Sequence, residues 1–366
     1  MRKDIDDKGS TALFLKRIMY FQKTLEDHNC GGALLTYSRD ILYLTGTAQP
    51  SRLAITPEKY ILFVKSGMAF VEQETFINKS RVVEEKKMVA IYNHFFSNLA
   101  NKRIGIQLDI ITAEEYLLFR KIFNNVEFLN ISPMILTQRS IKDKFEIEQI
   151  KKACVCAHVG YKSACSILKP GMSELELSAS VEYAHRMTGH EGVFFFRQKD
   201  FFISMGPIGS GYNLTNQSGV LYSLTGRGQS ASVPIGPSQK KIEQGDTIII
   251  DIPCHINGYH CDQTRSFVAG RAKSETRACY RALKQISDYL IDEVIKPGIS
   301  CDMIYKSAIK AAKRTKFSKA FLKLNHGEQS RLAGHGIGIE ISEIPVIFAG
   351  NNQLIAENNV IALELH

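Results

Sequence analysis

The stretch DIPCHINGYHCDQTR, residues 251–265, follows directly on the apolar run Thr247–Ile250. At its centre, Asn257-Gly258 is typical of a two-residue β-hairpin turn, because both residues adopt positive φ angles at low cost. Extending the pairing outward from this turn places Asp251 opposite Thr264. The sequence therefore predicts a hairpin in which a buried strand leads straight into an aspartate.

A second aspartate returns on the other arm of this hairpin. Asp262 lies two residues before Thr264, so its side chain shares a face with Asp251 and lies diagonal to it. Two carboxylates beside an apolar strand repel each other and lose hydration, and a bound cation would remove both costs. A pair that shares a proton and an exposed pair of acids are the alternatives. Cys254 and Cys261 fall on the opposite face, which argues against a Cys/His zinc site there.

Two later segments supply further metal-ligand types. GHGIGIEISEIP, residues 334–345, places His335 between glycines, and NNVIALELH near the end carries Glu364 on an apolar strand. A lone histidine is most often a packed side chain, but two Asp, one His and one Glu together suit a hard or borderline divalent metal. Oxygen-rich sites with a bridging carboxylate commonly hold two ions that activate a water.

Length and composition limit the possible classes of protein. The 366 residues exceed one ordinary core, so two domains are expected. The net charge is +9, but basic and acidic residues are mixed along the chain, which favours a solvated surface over a nucleic-acid site. No apolar run reaches membrane-spanning length, and we identify no secretory signal. The eight cysteines lack regular spacing, which is typical of reduced thiols in a cytoplasmic protein.

Strand and helix patterns alternate in the first part of the chain, which predicts an α/β domain over residues 1–138. Helical periodicity covers residues 15–30. Short apolar runs predict strands at residues 31–38, 60–65 and 103–109. Thr112 and Glu115 match a capping box, which predicts that a helix begins there.

The pattern changes near the breaker Ser132-Pro133. A long helical pattern begins at about Lys142, so we expect the domain boundary at about Gln138.

The second domain, residues 139–366, contains two similar segments, LKPGMSELEL at residues 168–177 and IKPGISCDMI at residues 295–304. In each, Pro-Gly ends one helical pattern, and Ser173 or Ser300 can cap the next helix. An internal pseudo-repeat would explain the similarity, and chance Pro-Gly punctuation explains it equally well.

Three ordered motifs of the second domain resemble those of the pita-bread metallopeptidases, which include methionine aminopeptidase, Xaa-Pro aminopeptidase and prolidase. The matching stretches are Asp251 with Gly258-Tyr259 and Asp262-Gln263-Thr264-Arg265, then Gly334-His335-Gly336-Ile337-Gly338 with Glu343-Ile344-Pro345, and finally Ala362-Leu363-Glu364. ILYLTG at residues 41–46 and IKDKFEIEQIKKA at residues 141–153 resemble the creatinase-type N-terminal domain and its junction. The resemblance therefore covers nearly the whole chain.

This resemblance implies an α+β pita-bread domain with an antiparallel sheet, and peptide-bond hydrolysis by a metal-activated water. Asp251 would bind one divalent ion and Asp262 would bridge two. His335 and Glu364 would bind the other ion and are the catalytic candidates, with Glu364 taking the proton of the water. The two ions would be manganese or cobalt, with zinc or iron as alternatives. The creatinase-type domain favours cleavage of Xaa-Pro bonds in short peptides, and the family implies a homodimer.

The chain departs from the family pattern at three points. Pro234 and Ser342 stand where the family carries histidines that bind substrate and stabilise the transition state. The sequence ends at His366, before the strand that holds the family's last bridging glutamate. We therefore expect a domain truncated at its C-terminal end, with three alternatives: the sequence is a fragment, the second ion is weakly held, or the site is degenerate.

Further candidates for substrate binding are His255, His260, Ser342 and Arg265. The two histidines face each other in the predicted hairpin, where a solvent-facing turn decoration is the alternative. Besides an Xaa-Pro peptidase, two functions stay open: a catalytically impaired binding module, and a hydrolase of another small substrate.

Overall fold

The computed structural model describes residues 7–198, 205–219, 225–323, 327 and 329–366. The chain divides into two units, Met1–Arg139 and Ser140–His366. Among the described residues, no helix combines the length and the apolar character needed to cross a membrane.

The first unit is built on a six-stranded mixed sheet. Its strands are β1 (Gly32–Leu35), β2 (Ser51–Ile55), β3 (Tyr60–Val64), β4 (Val82–Glu84), β5 (Arg103–Ile106) and β6 (Glu127–Asn130). They lie in the order β4-β3-β2-β1-β5-β6, in which β2 is antiparallel to both neighbours and the other pairs are parallel. The helices are α1 (Asp7–Asp27), α2 (Ser38–Thr45), α3 (Met68–Glu74), α4 (Met88–Ile91), α5 (Ala113–Ile122) and α6 (Ser132–Ser140).

Local sequence signals account for most of these elements. The three predicted strands are confirmed as β1, β3 and β5. Thr112 accepts a hydrogen bond from the N–H of Glu115, and the Glu115 carboxylate accepts one from the N–H of Thr112, which confirms the capping box of α5. Helix α1 ends at Asp27 rather than residue 30, because Asn29 adopts a positive φ of 49° that a helix cannot contain.

The second unit combines helices with short antiparallel strands. Its helices are α7 (Lys144–Ile167), α8 (Glu174–Met187), α9 (Ser274–Tyr289) and α10 (Cys301–Ala312). Its strands are β7 (Ile208–Ser210), β8 (Thr247–Ile250), β9 (Cys254–Ile256), β10 (Tyr259–Cys261), β11 (Arg265–Val268), β12 (Leu332–Gly336), β13 (Glu343–Phe348) and β14 (Ile361–Leu363). They form the sheets β11-β8-β7, β10-β9 and β13-β12-β14. The predicted α+β organisation with antiparallel pairing is confirmed.

The predicted hairpin keeps one register over its whole length. His260 pairs with His255 near the turn, and Arg265 pairs with Ile250 at the far end. Asn257-Gly258 turns the chain with φ angles of 51° and 83°. The ladder is interrupted at residues 251–253 and 262–264, so both aspartates lie where the backbone pairing opens.

The two Pro-Gly segments share a local structure. Ser173 caps α8 by accepting from the N–H of Glu176, and Ser300 caps α10 by accepting from the N–H of Met303. Each serine also forms an isolated antiparallel bridge with a later segment, at Lys241 and Leu354 respectively. The predicted caps are confirmed, and the pseudo-repeat of the whole domain stays a prediction.

Candidate metal centre

Three side chains of the second unit converge on one point. Asp262, His335 and Glu364 each offer a ligand atom, and these atoms all lie within 4.8 Å of one another. Nε2 of His335 lies 3.1 Å from Oε1 of Glu364 and 3.6 Å from Oδ2 of Asp262. His335 is buried and the two carboxylates are partly exposed, so a nitrogen and two oxygens face a space open on one side.

Neighbouring strands place His335 and Glu364 together. His335 lies on β12 opposite Ala362 of β14, and the N–H of Glu364 donates to the carbonyl of Ala333 at 2.9 Å. A Cβ at Gly334 would lie only 2.5 Å from the carbonyl oxygen of Ala362. A glycine before His335 is therefore required by the close approach of the two strands.

The two arms of the hairpin bring in Asp251 and Asp262. The hydroxyl of Thr264 donates to Oδ1 of Asp251 at 2.7 Å, which is the cross-strand contact that the predicted register requires. Tyr161 of α7 donates its hydroxyl to the carbonyl of Gln263, the residue after Asp262. Asp251 stands beside the three converging side chains, since its carboxylate interacts with Asp262 and Glu364.

The carboxylates perturb one another and the imidazole between them. Burial, followed by repulsion from Asp262 and Glu364, raises the pKa of Asp251 well above its usual range. Burial and the charge of Glu364 raise the pKa of Asp262 to about 7. Burial alone lowers the pKa of His335, but the hydrogen bond and the charge of Glu364 outweigh it and raise this pKa to about 9. Negative charge is thus concentrated around a single histidine.

These residues fit a divalent cation. Nδ1 of His335 contacts the carbonyl of Gly336 at 2.9 Å, which assigns the ring proton to Nδ1 and directs Nε2 at the carboxylates. An imidazole fixed in this way through its second nitrogen is the usual form of a metal ligand. A cation would also relieve the repulsion that raises the pKa of Asp251 and Asp262. Oxygen and imidazole donors together suit manganese, cobalt, zinc or iron.

The carboxylates face a cavity of about 930 Å³ within the second unit. Asp251, Asp262 and Glu364 line it together with side chains from other elements. Helix α9 contributes Tyr280 and Leu283, and the volume is in the range of small-molecule sites. The cavity combines a few charged groups with an apolar wall, as ligand sites generally do.

The structure places His255 and His260 in the interior of the unit. Their ring centroids lie 4.3 Å apart and both rings are buried, so the solvent-facing alternative is wrong. Nδ1 of His260 contacts the carbonyl of Gly338 at 3.1 Å, and its Nε2 accepts the N–H of Phe195 at 3.1 Å. Nδ1 of His255 lies 2.9 Å from Oε2 of Glu191. Neither histidine is among the described residues that line the cavity, which favours a supporting role over substrate contact.

The other two candidates for substrate binding are Arg265 and Ser342. Of these two, only Arg265 belongs to the described residues that line the cavity. Its guanidinium lies 5.4 Å from the ring centre of Tyr161 and donates to Oε1 of Gln263 at 3.2 Å. Ser342 is half-buried in the bend that precedes β13. The structure therefore brings Arg265, but not Ser342, to the space beside the carboxylates.

Sequence reasoning missed the contribution of α9 to the cavity. A helical period identifies an apolar face but does not reveal what that face meets. Sequence reasoning also missed Tyr161, because its position in the helical pattern of α7 is that of an ordinary core residue. Thr264, by contrast, could have been named as a supporting residue, because the predicted hairpin already placed it opposite Asp251.

Comparison with known proteins adds independent information. The model of metallopeptidase family M24 matches residues 148–366, and that of the creatinase/prolidase N-terminal domain matches residues 17–141. The Xaa-Pro dipeptidase of Pyrococcus furiosus is 26% identical over 352 residues, which cover 95% of this chain and 89% of that protein.

Solved prolidases share the fold. The prolidase from Pyrococcus horikoshii superposes with a TM-score of 0.77 at 23% identity, over 96% of this chain and 90% of its own. The prolidase from Pyrococcus furiosus gives a TM-score of 0.74 at 25% identity, over 94% and 90%. The predicted resemblance and the pita-bread fold with its N-terminal domain are confirmed. Since the first family model covers more than half of the sequence, the chain belongs to metallopeptidase family M24.

Proposed function

We propose that this chain hydrolyses the bond before proline at the N-terminus of short peptides. The observation that supports this most directly is the convergence of Asp262, His335 and Glu364, with Asp251 beside them, at a cavity of about 930 Å³. The relative named Xaa-Pro dipeptidase is 26% identical, which makes Xaa-Pro dipeptides the first substrates to test.

In this proposal the four side chains hold two divalent ions, manganese or cobalt, with zinc or iron as alternatives. A divalent ion, when bound, acidifies a water and polarises a carbonyl. The Glu364 side chain is 30% exposed and faces the cavity, so it is the group placed to take the proton of the attacking water. Thr264 keeps Asp251 in place, and Arg265 is placed to meet an anionic group of the peptide.

Metal stoichiometry is the first test. The purified chain is stripped of metal, manganese is added back, and tightly bound ions are counted by elemental analysis. Two tightly bound ions per chain would show that these four side chains suffice for both, whereas one ion would fit a weakly held second ion. We expect weaker retention in Asp251→Asn and no change in Asp292→Asn, which alters an exposed aspartate outside the cavity lining. A chain that retains no manganese would reject the metal centre.

Peptide hydrolysis is the second test. We expect manganese-dependent release of proline from an Xaa-Pro dipeptide. Asp262→Asn should reduce it by more than about a hundredfold, since even outer partners of metal ligands commonly contribute ten- to a hundredfold. Asp292→Asn is again the matched control. Turnover that Asp262→Asn leaves unchanged would contradict the proposed role of this carboxylate.

One observation favours a second candidate function. Pro234 and Ser342 stand where the resemblance implies histidines, so the chain would lack two imidazoles near the reacting bond. A binding module would then bind Xaa-Pro peptides, measurable by calorimetry, without releasing proline. A hydrolase of another small substrate would instead respond in a screen of small amides.

The proposed homodimer is tested by light scattering, which measures the molar mass of the chain in solution.

A further inference from the structure

A buried ion pair joins the start of the second unit to the sheet of β12, β13 and β14. Nζ of Lys142 lies 2.9 Å from Oε2 of Glu343, and the two side chains are only 1% and 2% exposed. Taking both charges out of water costs free energy that their attraction offsets only in part, so such a pair is weak evidence for stability. A buried pair of this kind can instead fix one arrangement of the chain around it.

The Glu343 carboxylate braces the loop between β12 and β13. Glu343 is the first residue of β13 and pairs with Gly336 of β12. Its Oε1 accepts the N–H of Glu340 at 3.1 Å, so the same carboxylate contacts both the loop and Lys142. A Cβ at Gly338 would lie only 2.7 Å from Oε2, so the loop backbone packs directly on this carboxylate. The carboxylate therefore fixes the path of the loop.

This loop begins next to the imidazole of the metal centre. Nδ1 of His335 contacts the carbonyl of Gly336 at 2.9 Å, and Gly336 is the residue that pairs with Glu343. The N–H of Ile337 donates to the carbonyl of Val360 at 3.0 Å, and both of these residues line the cavity. A shift of the loop would therefore turn the imidazole and move the cavity wall.

Lys142 is also attached to the segment that leads to Glu364. Its backbone N–H donates to the carbonyl of Asn358 at 3.0 Å, and the side-chain amide of Asn359 donates to the carbonyl of Ser140 at 2.8 Å. Asn358 turns the chain there with a φ of 65°, and Asn359 lines the cavity. The start of the second unit thus contacts both the loop after β12 and the segment before β14.

We propose that Lys142 and Glu343 are positioning residues, which hold the strands of His335 and Glu364 at the separation that a divalent ion requires. His335 and Glu364 lie 29 positions apart in the chain, so contacts between distant segments must set their distance. Neither Lys142 nor Glu343 is among the described residues that line the cavity, so the pair acts through β12 and β14. The inference rests on the proposed function, because it concerns the metal centre proposed there.

Manganese affinity separates an effect of position from an effect of charge. Lys142→Met removes a positive charge and Glu343→Gln removes a negative one, with little change in side-chain length. If these charges acted on the ion only through their field, Lys142→Met would bind manganese more tightly and Glu343→Gln more weakly. Loss of positioning instead raises the Kd in both variants, by at least about tenfold. Lys144→Met, which removes an exposed charge nearby in the sequence, should leave the Kd nearly unchanged.

The double variant Lys142→Met/Glu343→Gln separates positioning from stability. Each single variant leaves one buried charge unpaired, so the urea midpoint of the metal-free chain should fall. The double variant leaves no such charge and should recover most of this loss, while its manganese Kd stays at least about tenfold above that of the unsubstituted chain. Affinity that returns together with stability would overturn the inference. If a single variant does not fold, the double variant alone decides.

A crystal structure of the metal-free double variant keeps the inference separate from the proposed function. Nε2 of His335 and Oε1 of Glu364, 3.1 Å apart in the unsubstituted chain, should move apart. An unsubstituted chain that binds no manganese would reject the metal centre of the proposed function, and this distance would then decide the inference. An unchanged separation in the double variant would overturn it.

Discussion

Single polar contacts hold the charged side chains of the metal centre in place. Thr264 donates to Asp251, the carbonyl of Gly336 accepts from His335, and the backbone N–H of Glu364 bonds to β12. None of these contacts is large in energy, but each restricts a ligand to one orientation. The geometry of the centre should therefore be sensitive to changes that hardly affect stability.

Replacing Thr264 by valine tests this sensitivity. Thr264→Val keeps the shape of an exposed side chain but removes the donor to Asp251. We expect manganese affinity to fall about ten- to a hundredfold while the melting temperature stays nearly unchanged. Thr264→Ser retains the hydroxyl and should restore most of the affinity. Equal affinity in the valine and serine variants would show that this hydrogen bond does not orient Asp251.

Substitution of His260 distinguishes a structural role of this side chain from a direct role in substrate binding. Its ring joins the carbonyl of Gly338, three residues after His335, to the N–H of Phe195. His260→Phe leaves buried polar groups without this partner, so the free energy of unfolding in urea should fall by about 1–3 kcal/mol. His158→Phe, at an exposed position of α7, is the control. A variant of unchanged stability that binds peptide poorly would instead favour direct contact with substrate.

At the scale of elements, local signals decide where helices and turns begin. Asp143 and Glu146 form a capping box, so α7 begins at Lys144, two residues after the predicted start. Ser173 forms a capping box with Glu176 at the start of α8, and Ser300 caps α10 by accepting from the N–H of Met303. These signals act over three or four residues and do not depend on the rest of the fold.

The two serine caps should each contribute measurably to stability. Ser173→Ala and Ser300→Ala remove a side-chain acceptor from the first turn of a helix, which costs about 1 kcal/mol. We expect the larger loss for Ser173, because its hydroxyl also donates to Oε2 of Glu176, a bond that alanine cannot make. Ser166→Ala, at an exposed position inside α7, should be neutral or slightly stabilising. Urea unfolding measures all three, and equal effects at all positions would contradict the capping roles.

At the scale of the whole molecule, each unit has its own core. In the second unit the interior also contains the buried histidines His185, His190, His255 and His260. Burial lowers the pKa of His190 to about 4, with further contributions from His185, His255 and Arg186. Burial also lowers the pKa of His185, so the imidazoles of His185 and His190 are neutral at neutral pH.

Acid should destabilise the second unit through His190. An unfolded chain takes up a proton on this histidine below pH 6.5, whereas the folded chain resists protonation down to about pH 4. The stabilising contribution is thus complete above pH 6.5 and is lost as the pH falls toward 4, by at most about 3 kcal/mol. His190→Asn should weaken the decline in unfolding free energy between pH 7 and 5, and His158→Asn should not. If the free energy of unfolding declines equally in both variants, groups other than His190 cause the loss of stability in acid.

The sequence by itself determined the short-range features of this protein. Asn257-Gly258 specified the hairpin and its register, because only a tight turn with positive φ angles joins its arms. That register put Asp251 opposite Thr264 and on one face with Asp262. The ordered motifs also identified His335 and Glu364, since chain order and spacing are properties of the sequence alone.

Only the tertiary structure decided which groups meet across distant parts of the chain. The approach of β14 to β12 brings Glu364 to His335, and packing of α7 against the hairpin brings Tyr161 to Gln263. His260 looked available for substrate, but its nitrogens bond Gly338 and Phe195. Such contacts depend on how separate elements pack, and periodicity records that a face is apolar without recording what it packs against.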